Sequence, residues 1–355
     1  MALLELTSLT RRVGGRTAIE GLSLAVEEGE VFALVGPATA GKTALLRLVA
    51  GLERPDGGTI VLDGVDITEL PARFRPVTLM FQRAALFPHM SVAANVAYGL
   101  EMEGLRRREI RRRVAEILES LQLRQLARRR PHELSAAARQ RVALARAAVK
   151  RPRMLLLDEP LGGLDRGARQ EGQLELMRLY HELGCAVLMA TREPEDALLL
   201  ADRVGLLNEG RLLQQGTARQ LYERPESRFA AAYLGAVNLL EGYAAEQGLR
   251  VAHLGLLKGE MAGPIAPGEP AVLAVRPERL LLSAGALGTD NAFAAQLEEV
   301  SYRGQDVLLH FAVEGLAARL LARATAAGFE ALRLEEGQML TLGFEARHGR
   351  ILPVR

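Results

Sequence analysis

The sequence predicts an α/β domain built on a parallel β-sheet, followed by a smaller domain made mainly of β-strands. Three observations carry this prediction. Short apolar strands alternate with helical segments over the first part of the chain, a glycine-rich loop joins one strand to a helix near residue 40, and closely spaced strands take over near residue 236. The length of 355 residues also favours two domains over one.

The strands of the first domain are recognised by short apolar runs. Residues 3–35 alternate as strands, and Val31–Val35 is apolar throughout, which is typical of a central parallel strand. A helix is predicted at 43–50 and ends at Gly51. Residues 83–150 form a mostly helical insertion with an apolar stripe at helical spacing: Ile110, Val114, Ile117, Leu118 and Leu121. Further strands are predicted at 59–67, 77–81, 154–157, 186–190 and 203–207.

The first domain is predicted to span residues 1–235 and the second residues 236–355. Strand candidates in the second domain lie at 271–276, 292–300, 305–313 and 338–344, separated by Gly and Pro, and residues 317–332 carry a short helical pattern. We expect an OB-like β-barrel in this part of the chain.

Composition argues against several classes of protein. A formal net charge of +2 gives no global reason to expect nucleic-acid binding. The single cysteine, Cys185, excludes a disulfide framework, and its place beside an apolar run predicts core packing. The N-terminus lacks the pattern of a signal peptide, and no stretch reaches 18 apolar residues, so we expect no membrane span in this chain.

Residues 36–43 read Gly-Pro-Ala-Thr-Ala-Gly-Lys-Thr and fit the phosphate-binding pattern G-x-x-x-x-G-K-[ST] between a buried strand and a helix. Lys42 is expected to reach the β- and γ-phosphates, and the Thr43 hydroxyl to bind Mg²⁺. Only Lys42, Lys150 and Lys258 are lysines among the 45 basic residues, which indicates that position 42 needs an amine. The candidate nucleotide-binding residues of this loop are Gly36, Pro37, Ala38, Thr39, Ala40, Gly41, Lys42, Thr43 and Ala44.

An acidic pair follows the apolar run Met154–Leu157. A buried strand would deliver Asp158 to the edge of the sheet, where it can hold Mg²⁺, and Glu159 would orient the attacking water. Taken without the loop upstream, the same two residues could be an ordinary acidic helix cap after a strand.

These residues, in this order, resemble the ABC transporter ATPase family, and the resemblance covers the whole chain. Phe81-Gln82 and the segment 86–90 are similar to the family's Q-loop and permease-docking segment. Leu134-Ser135 stands where the family carries LSGGQ, residues 162–165 resemble its D-loop, and Arg192 stands at its switch position. Residues 274–278 resemble the TOBE domain of importer subunits for polyamines, iron, sulfate and sugars.

The resemblance implies an ATP-binding subunit of a solute importer, with ATP and Mg²⁺ as cofactors, on the cytoplasmic face of the inner membrane. It implies integral membrane permease subunits as partners, a second ATP-binding subunit in a homo- or heterodimer, and indirectly a solute-binding protein. It also implies catalytic roles for Glu159, Gln82 and Arg192, metal binding by Thr43, Gln82 and Asp158, and nucleotide contacts from Val13, Ser135 and Ala137.

Four departures from the family pattern concern catalysis rather than fold. Val13 replaces the aromatic residue that stacks on adenine. Ala136 and Ala137 replace the two signature glycines, Arg192 replaces the switch histidine, and Ala38 and Ala40 replace serines of the phosphate loop. Arg192 could contact a γ-phosphate as a cation or lie solvated in a loop. In a dimer no pairing of subunits gives an unaltered site, so we expect slow hydrolysis.

Two other segments allow two interpretations each. The arginines of 106–113 form either a solvated helix face or a contact with anionic lipid. Phe87, Pro88 and Met90 are either a surface that receives a permease helix or part of the core.

The sequence therefore predicts an importer ATPase subunit, with a regulatory or scaffold subunit of little activity as the alternative. A soluble family member acting in translation or repair is less consistent with one ATP cassette and a C-terminal β domain. Residues 173–184 and 237–242 are most similar to polyamine importers, which suggests spermidine or putrescine as the solute.

Overall fold

The computed structural model describes residues 2–354, which separate into two compact units, one that ends at Ala218 and one that begins at Arg219. The boundary predicted at residue 235 stays a prediction, but the compact units divide earlier in the chain. The elements of the first unit, in chain order, are β1 (Ala2–Val13), β2 (Arg16–Glu27), β3 (Val31–Val35), α1 (Lys42–Val49), β4 (Gly57–Leu62), β5 (Val65–Asp66), β6 (Val77–Met80), α2 (Val92–Met102), α3 (Arg107–Ser120), α4 (Ala136–Ala148), β7 (Met154–Asp158), α5 (Arg166–Leu183), β8 (Ala186–Thr191), α6 (Pro194–Leu200), β9 (Arg203–Asn208) and β10 (Arg211–Gly216).

A six-stranded sheet with the order β10-β9-β3-β8-β7-β6 forms the centre of the first unit. Strands β3, β8, β7 and β6 pair in parallel, β9 joins β3 in parallel, and β10 closes the edge antiparallel to β9. Strands β3, β7 and β8 are buried along their whole length, as their apolar runs predict. The carboxyl ends of β3 and β7 therefore deliver the phosphate loop and the acidic pair to one edge of this sheet.

A second, antiparallel sheet with the order β2-β1-β4-β5 shares a hydrophobic core with the buried face of α1. The strand predicted at 59–67 is interrupted after Leu62, because Asp63 and Gly64 adopt positive φ angles of 52° and 74° and turn the chain into β5. The helical insertion is confirmed: α2, α3 and α4 lie within it, and the predicted stripe of α3 is buried from Ile110 to Leu121.

The second unit contains α7 (Ala218–Glu223), α8 (Arg228–Tyr233), β11 (Asn238–Ala245), β12 (Gly248–Val251), β13 (Gly255–Leu257), β14 (Glu260–Met261), β15 (Pro270–Val275), β16 (Leu281–Ser283), β17 (Asn291–Tyr302), β18 (Asp306–Ala312), β19 (Leu320–Thr325), α9 (Ala326–Leu332), β20 (Met339–Phe344) and β21 (Gly349–Pro353). One sheet has the order β13-β12-β11-β15-β21-β14 and the other β16-β20-β17-β18-β19, and apolar residues of both line one core. A short helix was expected within residues 317–332, and the observed helix, α9, occupies only the last part of that segment. Strand β19 takes the earlier part because its buried and exposed side chains alternate and it pairs with β18.

The segment between the two predicted domains is held by a buried arginine of the second unit. Arg276 is only 6% exposed, and its guanidinium donates to the carbonyl oxygens of Tyr222, Ala231, Gly235 and Ala236 at 2.8–3.3 Å. It also lies 4.0 Å from the centre of the Tyr222 ring. Residues 222–236 therefore belong structurally with the second unit rather than the first.

Candidate nucleotide site

The phosphate loop can be built only with glycine at its two ends. A Cβ atom at position 36 would lie 2.1 Å from the carbonyl oxygen of Leu207, and one at position 41 would lie 2.2 Å from the carbonyl oxygen of Ala18. Gly41 also has a φ of 98°, a conformation that side chains disfavour. Between them Ala40 is fully buried, which explains why a small residue stands there.

Lys42 is the first residue of α1 and is 3% exposed. Its Nζ atom donates to the carbonyl oxygens of Gly36 and Pro37 at 2.7 and 2.8 Å. An ammonium group has three N–H donors, and within residues 2–354 the third has no hydrogen-bond acceptor. Burial lowers the pKa of this lysine, and the nearby carboxylates of Glu159 and Asp158 oppose that change. The loop therefore holds a desolvated cation with one donor available for an anion.

Thr43 and Asp158 meet across the sheet edge. The Thr43 hydroxyl donates to Oδ1 of Asp158 at 3.0 Å, and Asp158, the last residue of β7, is 5% exposed. Burial raises the pKa of Asp158, while the hydrogen bond from Thr43 opposes that rise. Hydroxyl and carboxylate oxygens are ligands that Mg²⁺ prefers. Three features of this site fit a nucleotide with its magnesium ion. They are the glycine loop 36–41, the Lys42 ammonium and the oxygen pair of Thr43 and Asp158.

Glu159 is fixed by both its backbone and its side chain. Its backbone has a φ of 49°, and its N–H donates to the carbonyl oxygen of Ala190 at 2.8 Å. Its carboxylate is 7% exposed and contacts Arg192 twice: Oε2 accepts from the Arg192 backbone N–H at 3.3 Å, and Oε1 lies 3.2 Å from the guanidinium Nε. Burial raises the pKa of Glu159, whereas Arg192 and Lys42 lower it. Arg192 is thus an exposed loop residue whose guanidinium lies against the Glu159 carboxylate, and its contact with a γ-phosphate stays a prediction.

Gln82 and Val13 lie at the edges of this arrangement. Gln82 is exposed in the loop that follows β6, a neighbour of β7 in the sheet. Val13 ends β1, is 52% exposed and pairs with Arg16 across the turn into β2. Strand β2 carries the Ala18 carbonyl that abuts Gly41, so Val13 belongs to the strand pair that touches the phosphate loop. The metal role of Gln82 and the nucleotide role of Val13 stay predictions.

The altered signature residues begin a helix. Ser135 is the N-cap of α4, and its Oγ accepts from the Ala138 N–H at 3.2 Å. Ala136 is exposed and Ala137 half-buried in the first turn, where alanine favours the helix more than glycine does. One turn later, the Gln140 amide donates to the Pro160 carbonyl oxygen at 2.9 Å. This contact, which sequence reasoning missed, ties the signature helix to the residue beside Glu159.

Two side chains that sequence reasoning did not single out hold the segment 84–91. Asn95 of α2 is fully buried, accepts from the Phe87 N–H at 2.8 Å and donates to the carbonyl oxygens of Phe87, Met90 and Ser91 at 3.0–3.2 Å. Arg146 donates to the carbonyl oxygens of Ala84 and Ala85 at 3.1 and 3.0 Å, and lies 5.6 Å from the Phe87 ring centre. Phe87 is half-buried against Tyr98, whereas Pro88 is exposed.

Comparison with known proteins shows which family this chain belongs to. A family model described as "ABC transporter" matches residues 19–162, and one described as "TOBE domain" matches residues 273–352. The chain is 37% identical over 353 residues to the putrescine transport ATP-binding protein PotG of Escherichia coli, covering 98% of this chain and 88% of the relative. The chain belongs to the ABC transporter ATP-binding family.

Further relatives agree with this assignment. A spermidine/putrescine import ATP-binding protein PotA of Rubrobacter xylanophilus is 43% identical over 355 residues, covering 98% of this chain and 93% of the relative. Among solved structures, CbiO1 of Clostridium perfringens, part of the ABC transporter complex CbiONQ, gives a TM-score of 0.58 at 30% identity over 62% of this chain and 90% of its own. A dimeric ATP-binding cassette bound to ADP and Pi gives 0.55 at 26% identity, over 61% and 99%.

The predictions of an ABC ATPase fold, a C-terminal TOBE domain and an importer ATP-binding subunit are therefore confirmed. The ABC ATPase family binds ATP, and a neighbouring structure holds ADP and Pi. Among residues 2–354, no helix is long and apolar enough to cross a membrane.

Proposed function

We propose that this ABC importer subunit binds ATP and Mg²⁺ through Lys42, Thr43 and Asp158 and drives the uptake of a polyamine, spermidine or putrescine. The main support for the nucleotide site is the buried Lys42 ammonium, which lies beside the Thr43–Asp158 pair and has one donor without an acceptor in the described part of the chain, 2–354. The similarity to a putrescine transport ATP-binding protein and to a spermidine/putrescine import ATP-binding protein supports the choice of solute.

The partners we propose are integral membrane permease subunits, a second ATP-binding subunit and, indirectly, a solute-binding protein. The subunit would act as a peripheral protein on the cytoplasmic face of the inner membrane. Pro88 and the neighbouring exposed His89 are our candidates for the contact with the permease, because Asn95 and Arg146 hold the segment around them in one conformation. A fixed surface loses less conformational entropy on binding than a flexible one.

Uptake of labelled putrescine and spermidine tests this proposal. The chain is expressed with its own permease and solute-binding protein in cells that lack polyamine uptake, and labelled sulfate and maltose serve as alternative solutes. We expect saturable polyamine uptake that Lys42→Ala abolishes and Lys150→Ala retains. Uptake of sulfate or maltose instead would refute the polyamine assignment, and uptake that survives Lys42→Ala would refute the nucleotide site.

A regulatory or scaffold role with little hydrolysis is the second candidate. Two observations favour it: Ala136 and Ala137 occupy the first turn of α4, and Arg192 is paired with Glu159, the residue predicted to orient the attacking water. If this role is correct, the assembled transporter turns over ATP far below the usual enzyme range of about 1 per second and above.

A further inference from the structure

The pairing of Glu159 with Arg192 joins the two residues at which hydrolysis is expected to be controlled. Glu159 is the candidate that orients the attacking water, and Arg192 stands at the switch position. Both carboxylate oxygens of Glu159 are engaged by this one residue, Oε2 by its backbone N–H at 3.3 Å and Oε1 by its guanidinium Nε at 3.2 Å. An imidazole is much shorter and lacks the planar fork of N–H donors that a guanidinium offers.

The two partners differ in their freedom to move. Glu159 is 7% exposed, and its backbone is anchored by the hydrogen bonds from its N–H to Ala190 and from the Gly162 N–H to its carbonyl oxygen, at 2.8 and 2.9 Å. The Arg192 side chain is 46% exposed. A rearrangement of this pair therefore moves the guanidinium and leaves the carboxylate in place.

We infer that Arg192 is a latch: it holds Glu159 while the site lacks a γ-phosphate, and it exchanges that carboxylate for the γ-phosphate when ATP binds. This inference rests on the proposed nucleotide site. A guanidinium pairs with phosphate at least as readily as with carboxylate. The exchange leaves Glu159 available to a water molecule only when the nucleotide is a triphosphate. Arg192 is thus a positioning residue that links the state of Glu159 to the presence of the γ-phosphate.

The exchange of partners by Arg192 should change how strongly the site prefers ATP over ADP. In the wild-type chain, part of the attraction between Arg192 and a γ-phosphate is cancelled by the loss of the Glu159 contact. Glu159→Gln removes the competing charge, so affinity for a non-hydrolysable ATP analogue with Mg²⁺ should rise about fivefold, equivalent to about 1 kcal/mol. Affinity for ADP should not change. In an Arg192→Gln background, Glu159→Gln should bring no gain for either nucleotide.

Calorimetry of the full chain measures these affinities, and the analogue prevents hydrolysis from contributing. An equal gain in both Arg192 backgrounds, or an equal gain for ADP and the analogue, overturns the exchange. Failure of wild-type chain to bind any nucleotide overturns the proposed function instead.

A second measurement tests the latch without nucleotide. The unfolding midpoints of the nucleotide-free wild type, Glu159→Gln, Arg192→Gln and the double variant form a thermodynamic cycle. We expect the double variant to be less destabilised than the sum of the single variants by about 2 °C, because the second substitution removes a partner already lost. Additive shifts overturn the latch, whatever the nucleotide data show.

Arg153→Gln is the matched control, since Arg153 forms its ion pairs with Glu28 and Asp63 instead. Its effect on the unfolding midpoint should add to that of Glu159→Gln, and it should leave the ratio of analogue to ADP affinity unchanged.

Discussion

The Thr43 hydroxyl donates to Oδ1 of Asp158 at 3.0 Å, although the two residues are 115 positions apart in the chain. Thr43 is the second residue of the helix after β3, Asp158 is the last residue of β7, and β8 lies between these two strands in the sheet. The order of strands in the sheet, rather than any local contact, brings together the two oxygens that we propose for Mg²⁺.

Lys42→Ala should weaken binding of ATP with Mg²⁺ at least tenfold, or about 1.4 kcal/mol, because the direct cation contact with the phosphates is lost. Calorimetry measures the affinity. Lys150→Ala is the matched control, since Lys150 pairs with Glu103 at 2.9 Å on the helical insertion. Equal affinity in wild type and Lys42→Ala would contradict the site.

Ala136→Gly with Ala137→Gly should raise ATP turnover of the assembled transporter more than Arg192→His does, and the three substitutions together should raise it most. A methyl group at Ala137 occupies space through which a partner's γ-phosphate must approach the backbone, and a small displacement weakens every contact in the transition state. Steady-state phosphate release measures turnover.

The same glycine substitutions should lower the unfolding free energy by up to about 1 kcal/mol each, because both residues lie in the first turn of α4. This loss of stability shows that the substitutions act in the folded protein. Turnover of the wild type already at about 1 per second or more would contradict the prediction. So would a glycine variant that gains nothing while Arg192→His alone restores activity.

Asn95→Ala should make the segment 86–91 exchange its amide hydrogens faster and cost about 1–3 kcal/mol, because a fully buried side chain with four hydrogen bonds to backbone is removed. Hydrogen exchange with peptide resolution measures the effect. Asn238→Ala is the control: Asn238 is 4% exposed and bonds the backbone of Leu321 at 2.7 and 2.8 Å. It should lower stability without changing exchange at 86–91.

Arg75→Met should lower the unfolding free energy by at least about 2 kcal/mol, as judged by urea denaturation. Arg75 is 6% exposed and donates to the carbonyl oxygens of Leu48, Val49, Thr68 and Leu70 at 2.7–2.9 Å, so its loss removes a buried donor shared by the end of α1 and the loop of Thr68 and Leu70. Arg73→Met, a nearby change at an arginine that lies over the exposed Phe74 ring, should have little effect. Similar losses in the two variants would contradict this role.

The phosphate loop and Asp158 could be predicted because their signals are local. A buried strand, a loop with glycine at fixed positions and a helix follow one another within a short stretch, and each leaves its own pattern. The parallel sheet follows from the alternation of such units. The buried stripe of α3 was predictable for the same reason, since its period is that of a helix.

The contacts of Arg192, Asn95 and Arg75 could not be predicted, because the groups they bind carry no distinctive sequence. Asn95 and Arg75 bind backbone carbonyl oxygens, which every residue has, and Arg192 pairs with a residue 33 positions away. Strand β19 was missed because its pairing with β18 outweighs the helical preference of its alanines.

The hydrogen bonds of Arg276 to residues 222–236 limit where this chain can be divided into transferable parts. A cut after residue 235 would place α7 and α8 on the other fragment and separate the buried Arg276 from the carbonyl oxygens of Tyr222, Ala231 and Gly235. Transfer of the second unit of this chain to another protein therefore has to include these two helices, and a division after Ala218 keeps Arg276 with all four of its carbonyl partners.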